Sequence, residues 1–330
     1  MKRMLLLALM LSGMIAAINA ATHRFTPRRY YHEFSAYMEP ALHIKPGDTV
    51  VTTCADSDGH DQNLKKVTDP PNPLTGPFYI DGAEPGDTLV VHLERIRLNR
   101  KTGIQSTRMA DNTVLPRYHI EYKTAPRIVT WNFDLETMTG VVNDLSPKMN
   151  RFRLPLKPFL GCIGVAPAMR EAQSTYTADA HGGNMDYNQL VEGTTMYFPV
   201  SIAGAYLFVG DGHAAQGDGE TSGGGIETSM DVQFRVSLLK KKRIPSARAE
   251  TGEYYLAMGM ARPLDEAFQR ASTNMIDWLT SDFGLTNEEA HVLLGSTARY
   301  DIGNIVDPRY TVACKIEKKV LHQIASPLKR

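Results

Sequence analysis

The chain has 330 residues, 42% of them hydrophobic and 22% charged, with 36 basic and 36 acidic side chains. That balance gives no electrostatic reason to expect nucleic acid or an anionic membrane as a partner. The apolar content excludes wholesale disorder, and 26 Gly with 19 Pro point to many turns.

In chain order, the first feature is Lys2 and Arg3, followed by an almost unbroken apolar run from Met4 to Ile18 that ends in Asn19-Ala20. This is the pattern of a secretory signal peptide over residues 1–20, cut after Ala20. The run is short for a membrane anchor. The expected product is periplasmic or secreted, with no membrane association after cleavage. Its cysteines are Cys54, Cys162 and Cys314. An odd number leaves at least one thiol unpaired, and three are too few for a disulfide scaffold, so a hydrophobic core must carry stability.

Strand signals fill the next two thirds. Lys45-Pro46-Gly47-Asp48 precedes a β-branched run from Thr49 to Cys54, and Glu84-Pro85-Gly86-Asp87 precedes Thr88 to Leu93. Pro-Gly presets a tight turn, and Thr, Val and Leu prefer extended chain. Two similar strands of one sheet are expected. Further strands are expected at Thr194–Val200, Ala205–Val209 and Met230–Val236, the last alternating so that one face is wet. Lys240 to Arg243 reads as a solvated turn. After residue 250 the pattern changes. Leu264, Ala267, Phe268, Ala271, Met275 and Leu279 fall at helical spacing behind Pro263. Thr286-Asn287-Glu288-Glu289 is a capping box opening a second helix, and Tyr310, Val312, Cys314 and Ile316 alternate as a strand. The sequence predicts a mainly β fold. A β-sandwich or barrel-like core over 21–245 carries the site, and an α+β portion over 246–330 packs on it.

Three polar clusters are expected in loops: Cys54 to Asp61, His181-Gly182-Gly183-Asn184-Met185-Asp186, and Gly210 to Glu220 with Asp211, His213 and Asp218. Each joins His or carboxylate to glycines that admit close backbone approach. Imidazole and carboxylate together suit a divalent metal, zinc first and calcium as the alternative. The spacing of Asp211, Asp218 and Glu220 is not that of an EF-hand, and no Lys-Ser/Thr follows the glycines as a phosphate loop requires. Cys162 reads as a small packed residue, because no charged neighbour in sequence lowers its thiol pKa.

Asn72 to Asp87, with the core Gly76-Pro77-Phe78-Tyr79-Ile80-Asp81-Gly82, resembles the signature of the acetamidase/formamidase family. Gly161-Cys162-Ile163-Gly164-Val165-Ala166-Pro167 and the second and third polar clusters match further family blocks in order, so the resemblance spans roughly residues 40 to 320. It implies a β-rich fold, hydrolysis of a short linear amide to carboxylate and ammonia, a homo-oligomer, and a divalent metal in some members. Asp56 matches an acidic position of the family, and His181, Asn184, Asp186, Asp211, His213, Asp218 and Glu220 carry over by position. From residue type and this matching, His181 and His213 with Asp56 or Asp186 are expected to hold the metal, and Glu220 to act as general base with Asp218 and Asn184 as further catalytic residues. The expected export signal departs from the cytoplasmic members of the family. The competing expectation is a secreted, non-catalytic β-sandwich that binds a ligand or calcium.

Overall fold

A computed structural model describes residues 20–121 and 125–325. The apolar run of the expected signal peptide lies outside the described residues, apart from Ala20 at its end. Among the described residues no helix is long and apolar enough to cross a membrane.

Two sheets face each other across one core. The larger has nine strands, in the order Thr22–Arg24, Thr49–Cys54, Met230–Leu239, Thr88–Leu98, Thr195–Pro199, Arg248–Glu250, Tyr254–Ala261, Tyr310–Glu317, Arg299–Ile302. The smaller has six, in the order Ala178–Asp179, Gly182–Asn184, Phe159–Gly164, Leu207–His213, Leu74–Ile80, Leu42–Ile44. Val50, Leu89, Val91, Val232 and Phe234 of the first pack with Phe78, Ile80, Leu160, Ile163 and Val209 of the second. Phe78 and Phe234 meet edge to face at 5.3 Å across the interface. A four-stranded sheet, Leu154–Pro155, Thr139–Val142, Ile128–Asp134, Thr102–Ser106, stands beside them. The mainly β architecture with a C-terminal α+β portion is as the sequence predicts.

The two Pro-Gly-Asp turns are built alike. Asp48 accepts from the Lys45 and Ala21 N–H groups at 2.9 and 2.8 Å. Asp87 accepts from Glu84 and Lys241 N–H at 2.9 and 2.8 Å. The strands they launch flank Met230–Leu239 on either side. That central strand buries Met230, Val232, Phe234 and Val236 and exposes Asp231, Arg235 and Ser237, as its alternation requires.

The sheet runs unbroken past residue 245, so the C-terminal portion extends the same nine strands. Along Tyr254–Ala261 the side chains divide between two cores: Leu256, Met258 and Met260 join the β core, while Ala257 and Ala261 face the helix Leu264–Phe283. Between them Gly259 lies directly under that helix. A Cβ there would sit 2.2 Å from the Ala267 carbonyl oxygen and 2.3 Å from the Ala271 nitrogen, so only Gly permits this approach. Thr286 and Glu289 form the expected capping box of the next helix, Asn287–Thr297.

One buried cation is locked into this second core. Arg248 Nε donates to Asn274 Oδ1 at 2.8 Å, and Nη2 to the Asn274 carbonyl at 3.1 Å. Its guanidinium carbon lies 5.1 Å from the centre of the Trp278 ring. Asn274 Nδ2 in turn donates to the Ala247 and Met258 carbonyls. Replacing Asn274 strands a buried guanidinium and two carbonyls. Asn274→Ala is expected to cost about 3 kcal/mol, read as a lower urea midpoint at unchanged m value.

Candidate active site

The site forms where three strands of the smaller sheet lie side by side. Cys162 on Phe159–Gly164 pairs with Asn184 on one neighbour and Gly210 on the other. The polar clusters expected in loops are therefore partly in strands: Gly182–Asn184 and Gly210–His213 are both hydrogen-bonded into the sheet. Their glycines carry no side chains, so the sheet can pack tightly while its few large side chains converge on one spot. Opposite Gly161 the pairing skips Asp211, which adopts φ of 58°. A Cβ on Gly161 would lie 2.4 Å from Asp186 Oδ1 and 2.5 Å from Asp211 Oδ2, so the missing side chain is the space these two carboxylates occupy.

Asp186, Asp211, Glu220 and Glu227 are buried, and Asp307 is half-buried beside them. Two sets of three bring ligand atoms within 4.8 Å of one another: Asp186, His213, Glu220, and Asp211, His213, Glu227. His213 belongs to both. Its Nε2 lies 3.1 Å from Glu227 Oε1 and 3.5 Å from Asp211 Oδ1. Its Nδ1 lies 2.8 Å from Gln216 Oε1. Gln216 Nε2 donates to the Asp186 and Gly303 carbonyls, which fixes that amide's direction. The Nδ1 proton is thereby assigned, and Nε2 is the nitrogen turned toward the carboxylates.

Burial dominates the electrostatics. It pushes the carboxyls of Asp186 and Glu220 well above their usual range, helped by the neighbouring carboxylates and opposed by His213. Glu227 is raised for the same reason, and Asp307 is pushed up to about 6. Burial alone would lower His213, but Glu227 and Asp211 hold it well above its ordinary value. Asp186 Oδ1, Asp211 Oδ1 and Glu227 Oε2 are buried without a hydrogen-bond partner. Oxygens left unpaired beside an imidazole nitrogen fit a divalent cation. Asp186, Asp211 and Glu220 also all hold left-handed backbone, with φ of 42°, 58° and 51°. Such strain is kept where the surroundings fix a side chain's direction.

Of the residues singled out in the sequence, the structure gathers Asp186, Asp211, His213, Glu220 and Asn184. Asn184 Nδ2 donates to Asp307 Oδ2 at 2.6 Å, and its Oδ1 receives the Cys162 thiol at 2.6 Å and Asn72 Nδ2 at 3.3 Å. Asp56, His181 and Asp218 are not brought into either ligand set. Asp56 is buried against Arg100, which it meets at 2.7 Å, and it accepts from the His60 N–H. Arg100 in turn donates to the carbonyl of Glu227, so Asp56 braces the site from behind. His181 packs edge to face on Phe34, and burial lowers its pKa to about 3. Asp218 is exposed and accepts from Asn188 Nδ2.

Glu227 and Asp307 are the members that sequence reasoning missed. Glu227 follows Gly223-Gly224-Gly225, a glycine run of the kind that marked the other clusters. Asp307 lies in the C-terminal portion, outside the region expected to carry the site, and nothing beyond an Asp-Pro turn marks it. All three cysteines are free and buried.

A cavity of about 220 Å³ opens onto Asp211, His213, Glu220, Glu227 and Asp307. Asp186 lies behind this wall.

Comparison with known proteins follows the same lines. A family model described as the Acetamidase/Formamidase family matches residues 22–176 and 168–321. A formamidase of Methylophilus methylotrophus is 25% identical over 80% of this chain and 82% of its own length. An acetamidase of Mycolicibacterium smegmatis is 24% identical, over 78% and 82%. The crystal structure of an acetamidase from Yersinia enterocolitica superposes with a TM-score of 0.80 at 31% identity, covering 94% of this chain and 96% of that one. A gamma lactamase from Delftia acidovorans shares the fold, with a TM-score of 0.58 at 20% identity. With a glycine-framed cluster of His and carboxylates, a two-sheet fold and a family model spanning nearly the whole described chain, this protein belongs to the acetamidase/formamidase family.

Proposed function

We propose that the protein hydrolyses the C–N bond of a small linear amide, consuming water and releasing a carboxylate and ammonia, with a divalent cation held by Asp211, His213 and Glu227. One observation carries the reading. These three side chains offer ligand atoms within 4.8 Å of one another on the wall of a small cavity, and two of their oxygens have no partner. The other set includes Asp186, which does not reach the cavity. Zinc suits the mixed nitrogen and oxygen donors, and calcium is the alternative if oxygen ligands dominate.

Once bound there, the ion would polarise the amide oxygen and lower the pKa of water. Glu220 lines the same cavity, and a cation beside it would oppose the proton uptake that burial favours, leaving its carboxylate free to act as the base. It takes the proton of the attacking water and returns it to the leaving nitrogen. Gly223, Gly224 and Gly225 bring bare backbone to the cavity wall, where N–H groups can meet the developing oxyanion. Asn184 holds Asp307 in place and is a positioning residue. The basic and apolar N-terminal residues support export, which would set this chemistry outside the cytoplasm.

The test begins with elemental analysis of the purified protein and ammonia release from formamide and acetamide. His213→Ala is expected to lose both bound metal and at least about 10³-fold in kcat/KM, and Glu220→Gln about 10²- to 10⁴-fold with metal retained. Asp218→Asn should keep near-full activity. Full activity in both His213→Ala and Glu220→Gln overturns the reading. Turnover of no amide, with metal still bound, would favour the non-catalytic binding protein.

Metal removal gives a second readout. Because a cation that binds the native cluster stabilises the folded state, adding it back to chelated protein at a hundredfold excess over Kd should raise stability by about 2.7 kcal/mol. A melting temperature that does not respond to zinc, calcium or manganese would rule out the cation site.

A further inference from the structure

The cavity is larger than the smallest amides need, and its outer part has a distinct chemistry. An apolar cavity of roughly 150 Å³ holds benzene, so about 220 Å³ has room for about nine heavy atoms, roughly twice the number in acetamide. A cation and one water leave room for about seven. Besides the carboxylate cluster, the lining includes the large side chains of Ile104, Ile128 and Tyr176 among smaller and polar groups. Ile128 is 60% exposed and Tyr176 49%, so both offer apolar surface that a ligand chain can cover. Ser57 and Asp58 also line the cavity. Asp58 is exposed, and its backbone carbonyl accepts from Lys66 Nζ at 2.8 Å. Its carboxylate makes no hydrogen bond or ion pair among the described residues. None of the described residues lining the cavity is Lys or Arg. Inside, Asp211 Oδ1 and Glu227 Oε2 are buried and unpartnered, so the amide end of a ligand has its own, separate anchor.

We infer that the preferred substrate is an aliphatic primary amide whose acyl chain carries a terminal ammonium group. The amide reaches the Asp211–His213–Glu227 cluster, the methylenes lie along Ile104, Ile128 and Tyr176, and the ammonium meets Asp58. The inference rests on the amide-hydrolase reading above and adds the identity of the acyl group. An amide with a terminal carboxylate would bring a second negative charge into a cavity that has no lining cation to receive it. Asp58 is then a specificity residue, separate from the groups that act on the C–N bond. 4-Aminobutanamide, with about seven heavy atoms, fills the space that remains.

The experiment compares kcat/KM for acetamide, butanamide, 4-aminobutanamide and succinamate at neutral pH, in the metal-loaded protein and in Asp58→Asn. The expected order is 4-aminobutanamide, then butanamide, then succinamate. Asp58→Asn should lower 4-aminobutanamide about threefold to fivefold, the size of an exposed ion pair, and leave acetamide unchanged. The preference should shrink in high salt. Ile128→Ser should lower butanamide and 4-aminobutanamide but not acetamide. Succinamate cleaved as fast as 4-aminobutanamide, or an Asp58→Asn loss equal for acetamide and 4-aminobutanamide, would overturn the inference. Calorimetric binding of 4-aminobutanamide to the wild-type and Asp58→Asn proteins reads the same discrimination without turnover. Binding sensitive to Asp58 with no hydrolysis of any amide would count against the hydrolase reading alone, and binding indifferent to Asp58 against this inference.

Discussion

Carboxylates that repel one another are held together in a place with little water, and much of the architecture serves that constraint. Asp186, Asp211, Glu220 and Glu227 share one imidazole, and the ion pairs they make among the described residues are with His213. Left to itself such a cluster would take up protons, which is why burial drives these carboxyls upward. A divalent ion, as proposed for this cluster, would offset the same repulsion without protons and leave the oxygens as ligands. The cost of confinement is met by the surrounding sheet. Three glycine-rich strands are hydrogen-bonded side by side, with the two-sheet core behind them. Asp211 stands on one of these strands, while Asp186, Glu220 and Glu227 sit in the segments that leave them, and a sheet with side chains at every position would leave the four no room.

This explains what the sequence made legible. Hydrophobic alternation and turn chemistry are local signals. They placed Thr49–Cys54, Met230–Leu239, both long C-terminal helices and Tyr310–Glu317 close to where they lie. The twin turns at Asp48 and Asp87 were readable for the same reason, since each aspartate bonds to backbone only three residues before it. Glycine was the misleading signal. In Gly182–Asn184 and Gly210–His213 it marks strands stripped of side chains for close packing, whereas locally it reads as a turn.

The site was half legible, and the division follows distance along the chain. His213, Glu220, Asn184 and Asp186 sit inside recognisable blocks, and they do converge. Asp56 has the right chemical type and a buried position, yet Arg100, 44 residues away, claims its carboxylate. No local pattern shows that pairing. Asp307 is the reverse case. An ordinary Asp-Pro turn becomes part of the cluster only because the C-terminal strands extend the nine-stranded sheet. Gly303 and Asn304 are thereby packed against Met185 and Asp186. The C-terminal portion is therefore part of the site's construction, and the two regions expected from composition act as one.

Cys162 shows how much a residue's role depends on what surrounds it. Its flanking residues predict a small packed side chain, and it is completely buried. Burial, then Asp211 and Asp186, push its thiol well up, so it stays protonated and is a poor nucleophile. A protonated thiol is still a donor, and here it donates to Asn184 Oδ1 at 2.6 Å. That bond, with the one from Asn72, turns the amide so that its nitrogen faces Asp307. The acidity that rules out thiolate chemistry is thus what keeps the thiol useful. It fixes an amide, the amide fixes a carboxylate, and the carboxylate lines the cavity where the reaction is placed.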